Sequence, residues 1–198
     1  MTSPLVQLAE RIHDLQAALE AELEDKRRAV RYRLERGHVV FEAGVVARHR
    51  AARERLSSFL ARTRPMVVLT APLIYALIVP LALLDLCVTL FQAACFPVYG
   101  IPKVRRRDHI VIDRQHLAYL NALQKLNCVY CGYANGLIGF VREVAARTEA
   151  HWCPVKHARR VAEPHSRYVG FMDFGDERAF QQRVEAQRQA LRQTPDPE

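Results

Sequence analysis

Four side chains in the last third of the chain have the types and spacing of a metal site: Cys128 and Cys131, then Cys153 and His157. They read C-x-x-C, 21 residues, C-x-x-x-H. Three thiolates and one imidazole complete a tetrahedral shell for zinc, which takes sulfur and nitrogen donors in four-coordinate sites. Gly132, directly after the second cysteine, permits a tight backbone turn that aims N–H groups at sulfur. His151, two residues before Cys153, competes with His157 for the fourth position. A closed shell predicts a structural staple. A catalytic metal needs an open position, and redox work by Cys128 and Cys131 needs a pair that no metal occupies.

The run Cys128-Val129-Tyr130-Cys131-Gly132-Tyr133 resembles the metal knuckle of rubredoxins and zinc ribbons, and Cys153-Pro154 resembles the opening of their second half. That likeness is confined to these short motifs. It implies zinc rather than iron, because a rubredoxin iron site takes a fourth cysteine where this chain offers His157. A longer run is similar to a family of uncharacterised bacterial membrane-associated proteins. It extends from Ile101-Pro102-Lys103-Val104-Arg105-Arg106, through the knuckle, to Trp152-Cys153-Pro154-Val155-Lys156-His157. This second resemblance implies architecture and a membrane setting, and no activity.

Elements of three kinds must carry these residues. Between Arg64 and Lys103 lie 38 residues whose single formal charge is Asp85, a stretch for which a bilayer is the natural solvent. It exceeds the ~20 residues of one span and is short for two. Pro80 falls near its middle, where a proline removes a backbone donor and breaks the helix. Arg48, Arg50, Arg53, Arg55, Arg62 and Arg64 precede the block, and Lys103, Arg105, Arg106 and Arg107 follow it. Positive charge on both flanks favours a re-entrant hairpin bent near Pro80, with both soluble parts cytoplasmic and the basic flanks on anionic headgroups. A single tilted span and a buried soluble helix pair are the alternatives. Asp85 is costly in hydrocarbon, so it is a functional or pairing residue, or else a cap at headgroup depth.

Upstream, Leu5, Leu8, Ile12, Leu15 and Leu19 step by three and four along a helix from about Pro4 to Arg36, with Gly37 at its end. That stripe wants a partner, either another protein or a second copy. A second helix, Val39 to Thr63, mixes Val40, Phe41, Val45, Leu56, Phe59 and Leu60 with arginines, as an interfacial helix does. Downstream, Asp113 is the expected N-cap of a helix bearing Leu117, Leu120, Leu123 and Leu126. A knuckle turn over Gly132 to Gly136 leads to a helix with the stripe Leu137, Phe140, Val141, Val144 and Ala145. Pro154 then opens a third helix that sets Cys153 and His157 on one face. Phe171 and Phe174 close a turn, and Asp176 to Gln193 form a polar helix.

The expected fold is therefore mainly α, a membrane-associated helical protein with a small zinc-stapled helical domain. Its segments are 1–64, the membrane segment 65–102, the metal unit 103–175 and a C-terminal helix and tail 176–198. The net charge of +8 divides as +4 up to residue 65, −1 over 66–102 and +5 beyond. The cations gather at the membrane flanks rather than around the knuckle, which disfavours nucleic acid. An odd cysteine count and no signal-like start argue against a disulfide framework and secretion. No phosphate loop, nucleophile elbow or H-E-x-x-H motif is present. The expectation is an adaptor module at the cytoplasmic face of a bacterial inner membrane, holding zinc and binding lipid and a protein partner. The alternative is a metal-dependent enzyme acting on a lipid or lipid-linked substrate, with Glu143, Glu149, His151 or Asp113 as acid or base. His109, His116 and His165 read as surface or satisfied interior residues.

Overall fold

In the computed structural model, which describes residues 4–29, 32–35 and 38–193, the chain is mainly helical. It divides into two units, each discontinuous in sequence: Met1–Leu77 with Val111–Tyr133, and Ile78–Ile110 with Ala134–Glu198. The division cuts across the four linear segments expected, because the apolar stretch and the long helix after it each contribute to both units.

In the first unit, α1 (Pro4–Ala29) carries the expected stripe with Leu8, Ile12, Leu15 and Leu19 exposed, extended by Leu23. Leu5 lies outside the described side chains. Lys26, Arg27 and Arg28 end the helix, where cations suit its negative pole, and they pair with Glu20, Glu22, Glu24 and Asp25. The helix was expected to reach Arg36 but stops at Ala29. β1 (Tyr32–Glu35) pairs antiparallel with β2 (His38–Phe41), setting Tyr32 opposite Phe41 with rings 6.0 Å apart. Val39, Val40 and the two aromatics suit a pleated surface better than a helix. Gly37, the expected helix end, lies outside the described residues. The expected Val39–Thr63 helix is thus β2 followed by α2 (Ala43–Ala51) and α3 (Leu56–Arg62). His49 fills the space between Phe41 and Tyr119, ring to ring at 5.1 and 5.0 Å, above buried Val45.

The apolar stretch forms α4 (Pro65–Ala76) and α5 (Ile78–Tyr99). Pro80 has no N–H for the carbonyl of Ala76, four residues back, and α4 ends there. The interruption falls at Leu77, three residues before Pro80. Leu77 keeps a right-handed helical backbone (φ −62°, ψ −14°), and Pro65–Tyr99 reads as one interrupted helix of 35 residues.

The second unit adds α6 (Arg106–His109), the C-terminal part of α7 (Ala122–Trp152) and α8 (Phe180–Arg192). Its core is Phe96, Leu137, Phe140, Val144, Phe171, Met172, Val184 and Leu191. The start of α7, in the first unit, lies later than expected. Asp113 makes no capping bond, whereas Asn121 Oδ1 accepts from the Gln124 N–H (3.0 Å) and Gln124 Oε1 from the Asn121 N–H (2.9 Å). This reciprocal capping box satisfies two donors that a helix start leaves open. Pro154 opens no helix: Val155 bridges Met172, with Lys156 N–H donating to Met172 O (2.7 Å) and Met172 N–H to Pro154 O (2.9 Å). Phe171 is buried as expected and Phe174 is exposed. α8 starts four residues after Asp176, whose carboxylate is held by Arg178 and Arg183 and titrates far below the usual carboxylate range.

Candidate functional site

The structure does not bring the four proposed metal ligands together. Cys128 and Cys131 sit one turn apart inside α7, and Cys153 follows its last residue. A helix rising 1.5 Å per residue separates Cys131 from Cys153 by on the order of 33 Å along its axis, against a zinc–sulfur bond of ~2.3 Å. Among the described residues no group of three or more His, Cys, Asp or Glu side chains is placed to hold an ion. None of the five cysteines is in a disulfide. The His157 N–H donates to the Tyr168 hydroxyl (2.7 Å) and its ring stacks on Tyr168. His151 packs its ring against Tyr99 and Trp152. Burial, then the charges of Arg188 and Arg192, lower its pKa and keep it neutral at pH 7.

The glycines read as a knuckle have another role. Gly132 and Gly136 lie on the face of α7 crossed by the incoming backbone. A β-carbon at Gly136 would stand 2.6 Å from the His109 carbonyl oxygen and 2.7 Å from Ile110 Cα. At Gly132 it would stand 3.2 Å from the Val111 carbonyl oxygen. Glycine here is a requirement of close approach, not of a turn. Both glycines were singled out in the sequence; helical spacing was the signal that they share a face.

Of the candidate acids, Glu143 is committed to ion pairs and Glu149 to a contact with a histidine. Glu143 accepts from Arg147 (2.9 Å) and Arg167 (2.8 Å). Burial alone raises its carboxyl, but the two arginine hydrogen bonds outweigh that and hold it below its ordinary value. Such a carboxylate is a weak proton acceptor. Arg147 is itself buried and caps the carbonyls of Pro102 (2.7 Å) and Lys103 (3.2 Å). Glu149 meets His165 Nε2 at 3.0 Å beside Tyr168 and Phe171.

The exposed apolar surfaces of α4 and of α5 are unassigned. No residue in the most apolar 18-residue window of Pro65–Tyr99 is buried, and Leu69, Leu73, Val79, Leu83, Leu86, Leu90 and Val98 are exposed. The opposite sides carry polar partners. In the first unit Tyr75 donates to Asn127, and the Tyr130 hydroxyl donates to Ile74 O (2.8 Å). In the second, the chain turns at Gly100 (φ +65°) and runs back along α5. Ile101 N–H donates to Phe96 O (2.9 Å), and Val104 N–H to Gln92 Oε1 (2.7 Å). Gln92 Nε2 donates to Val104 O (3.2 Å), and Arg106 grips Asp85 with two bonds (3.0 and 2.5 Å). Asp85, the one charge of the block, is therefore a pairing residue. Gln92, which fixes this strap together with Arg106, belonged to no motif; a lone glutamine in an apolar run was the available signal.

No protein-family model matches the chain, and neither does a curated protein or a solved structure. The fold and site define a mainly helical protein that has, among the described residues, one helix long and apolar enough to cross a membrane.

Proposed function

We propose that this protein is a membrane-anchored interaction module, bound to a bilayer by α4 and α5 and presenting α1 to a partner. The observation that supports it is the unburied apolar surface of Pro65–Tyr99. Exposed aliphatic surface is worth about 25 cal/mol per Å² when removed from water, so a face of this extent favours lipid strongly. The free stripe of α1 supplies a second, separate contact surface, and a second copy of the chain is its simplest partner. The basic flanks support a reading in which both soluble parts lie on the cytoplasmic side of a bacterial inner membrane.

Zinc is outside this proposal: a staple through Cys128, Cys131, Cys153 and His157 requires α7 to break between the two cysteine motifs. The enzyme alternative gains nothing from Glu143, which its two arginines hold, or from His151, which is packed among aromatics. Fractionation tests the anchor. The full chain is expected in alkali-washed membranes, and the pair Leu73→Arg, Leu83→Arg in the soluble fraction. Recovery of the unaltered chain in the soluble fraction overturns the proposal.

A further inference from the structure

We infer that α5 does not cross the hydrocarbon but lies in the plane of the membrane interface, its outer face on the acyl chains and its strap among anionic headgroups. This rests on the membrane reading above and goes beyond it. Asp85, Val88, Gln92, Phe96 and Tyr99 fall on one side of α5 and are buried or half-buried. Val79, Leu83, Leu86, Leu90 and Val98 fall on the other and are exposed, Leu90 to 59% and Val98 to 78%.

The strap is hydrogen-bonded along the first side from Phe96 to Asp85. From Asp85 to Tyr99 the helix advances by on the order of 21 Å, most of the ~30 Å that a crossing requires. Over that length α5 is accompanied by the non-helical residues 100–105, by the start of α6, and by the cations Lys103, Arg105, Arg106 and Arg107. A crossing α5 would carry these groups into hydrocarbon, where irregular backbone and cations are tolerated only when enclosed by protein. Lys103, Arg106 and Arg107 are exposed. In the plane of the interface every group finds its medium: aliphatic side chains reach the acyl boundary, and the strap's cations meet lipid phosphates. Tyr99 and Trp152, edge to face at 5.1 Å with Trp152 half exposed, stand at one end as interfacial aromatics do.

Tryptophan quenching by brominated lipids measures the depth. The chain has one tryptophan. The full-length protein is reconstituted into vesicles of phosphatidylcholine with phosphatidylglycerol, with bromines placed near the headgroups or near the bilayer centre. In the unaltered chain, Trp152 is expected to be quenched several-fold more by shallow than by deep bromines. In Trp152→Phe, a tryptophan replacing Leu83, Leu90 or Val98 in turn is expected to report one common shallow depth. A progression of depths along the three positions, with one near the bilayer centre, overturns the inference. So does an absence of quenching at all three in protein that floats with the vesicles, the result if a second copy covers the face. Failure of the unaltered chain to float with vesicles of either charge overturns the membrane reading itself. Replacing phosphatidylglycerol by phosphatidylcholine alone is expected to reduce binding severalfold, and equal binding overturns the headgroup role of the strap.

Discussion

Asp85 lies in a run of 38 residues with no other formal charge, and its side chain is 14% exposed against Arg106. Arg106→Gln leaves that carboxylate half paired. Because Arg106 is itself half exposed, water screens the pair, and the expected cost is about 1–2 kcal/mol. Asp85→Asn with Arg106→Gln should cost less than the sum of the single changes, read from denaturation midpoints in a double-mutant cycle. Cys131 is exposed and belongs to no group of three or more His, Cys, Asp or Glu side chains placed to hold an ion among the described residues. Cys131→Ser should shift stability by no more than about 0.5 kcal/mol, and elemental analysis should find no stoichiometric zinc. Unfolding of that variant, with one zinc per native chain, would instead show that α7 breaks to form the staple.

Titration belongs to the same scale. His151 is held below its ordinary value by burial and two arginines, so the unfolded chain binds its proton more readily. Its contribution is complete above ~6.5 and is lost as pH falls toward the folded value. Glu143, lowered against its burial by Arg147 and Arg167, has the same sign: its contribution is present above ~4.3 and is lost as pH falls through the folded value. Stability should therefore decline on acidification from neutrality, first through His151 and then through Glu143. Denaturation at a series of pH values checks this, and the later loss should vanish in Glu143→Gln.

At the scale of elements, α7 shows how far residue pattern carries. Leu137, Phe140 and Val144 were readable as a buried stripe because 3.6-residue periodicity is local. Asn121 and Gln124 also stood in the sequence as a capping box, yet Asp113 drew the helix start because a cap is recognised only once the helix it opens is known. The two glycines looked like a turn. Whether a glycine serves a turn or a close approach depends on which backbone crosses it, and residues 109–111 arrive from outside the helix. Gly136→Ala should cost about 1–3 kcal/mol, since the carbonyl of His109 and the Cα of Ile110 must both move. Gly132→Ala, with a single backbone oxygen at 3.2 Å, should cost less. Thermal unfolding of both in the same membrane mimetic ranks them.

For the whole molecule, α1 and α5 each expose apolar side chains on a separate element, and the proposed function assigns them separate partners. The α1 stripe makes no demand on the core, so Leu15→Asp with Leu19→Asp should leave the unfolding midpoint unchanged. The same pair should abolish crosslinked dimers in reconstituted vesicles, and dimers that persist would exclude α1 as the contact.

The amino-acid sequence alone determined that the protein is mainly helical, that residues 65–99 are strongly apolar and that α1 keeps one apolar side. Each follows from neighbours within a few turns of helix, where side-chain chemistry and periodicity act directly. The tertiary structure decided that Asp85 pairs with Arg106, that a basic strap runs back along α5, and that Gly136 faces the backbone of His109 and Ile110. These depend on contacts between residues distant in sequence. Their free energy comes from a whole packed unit, and spacing along the chain does not encode it.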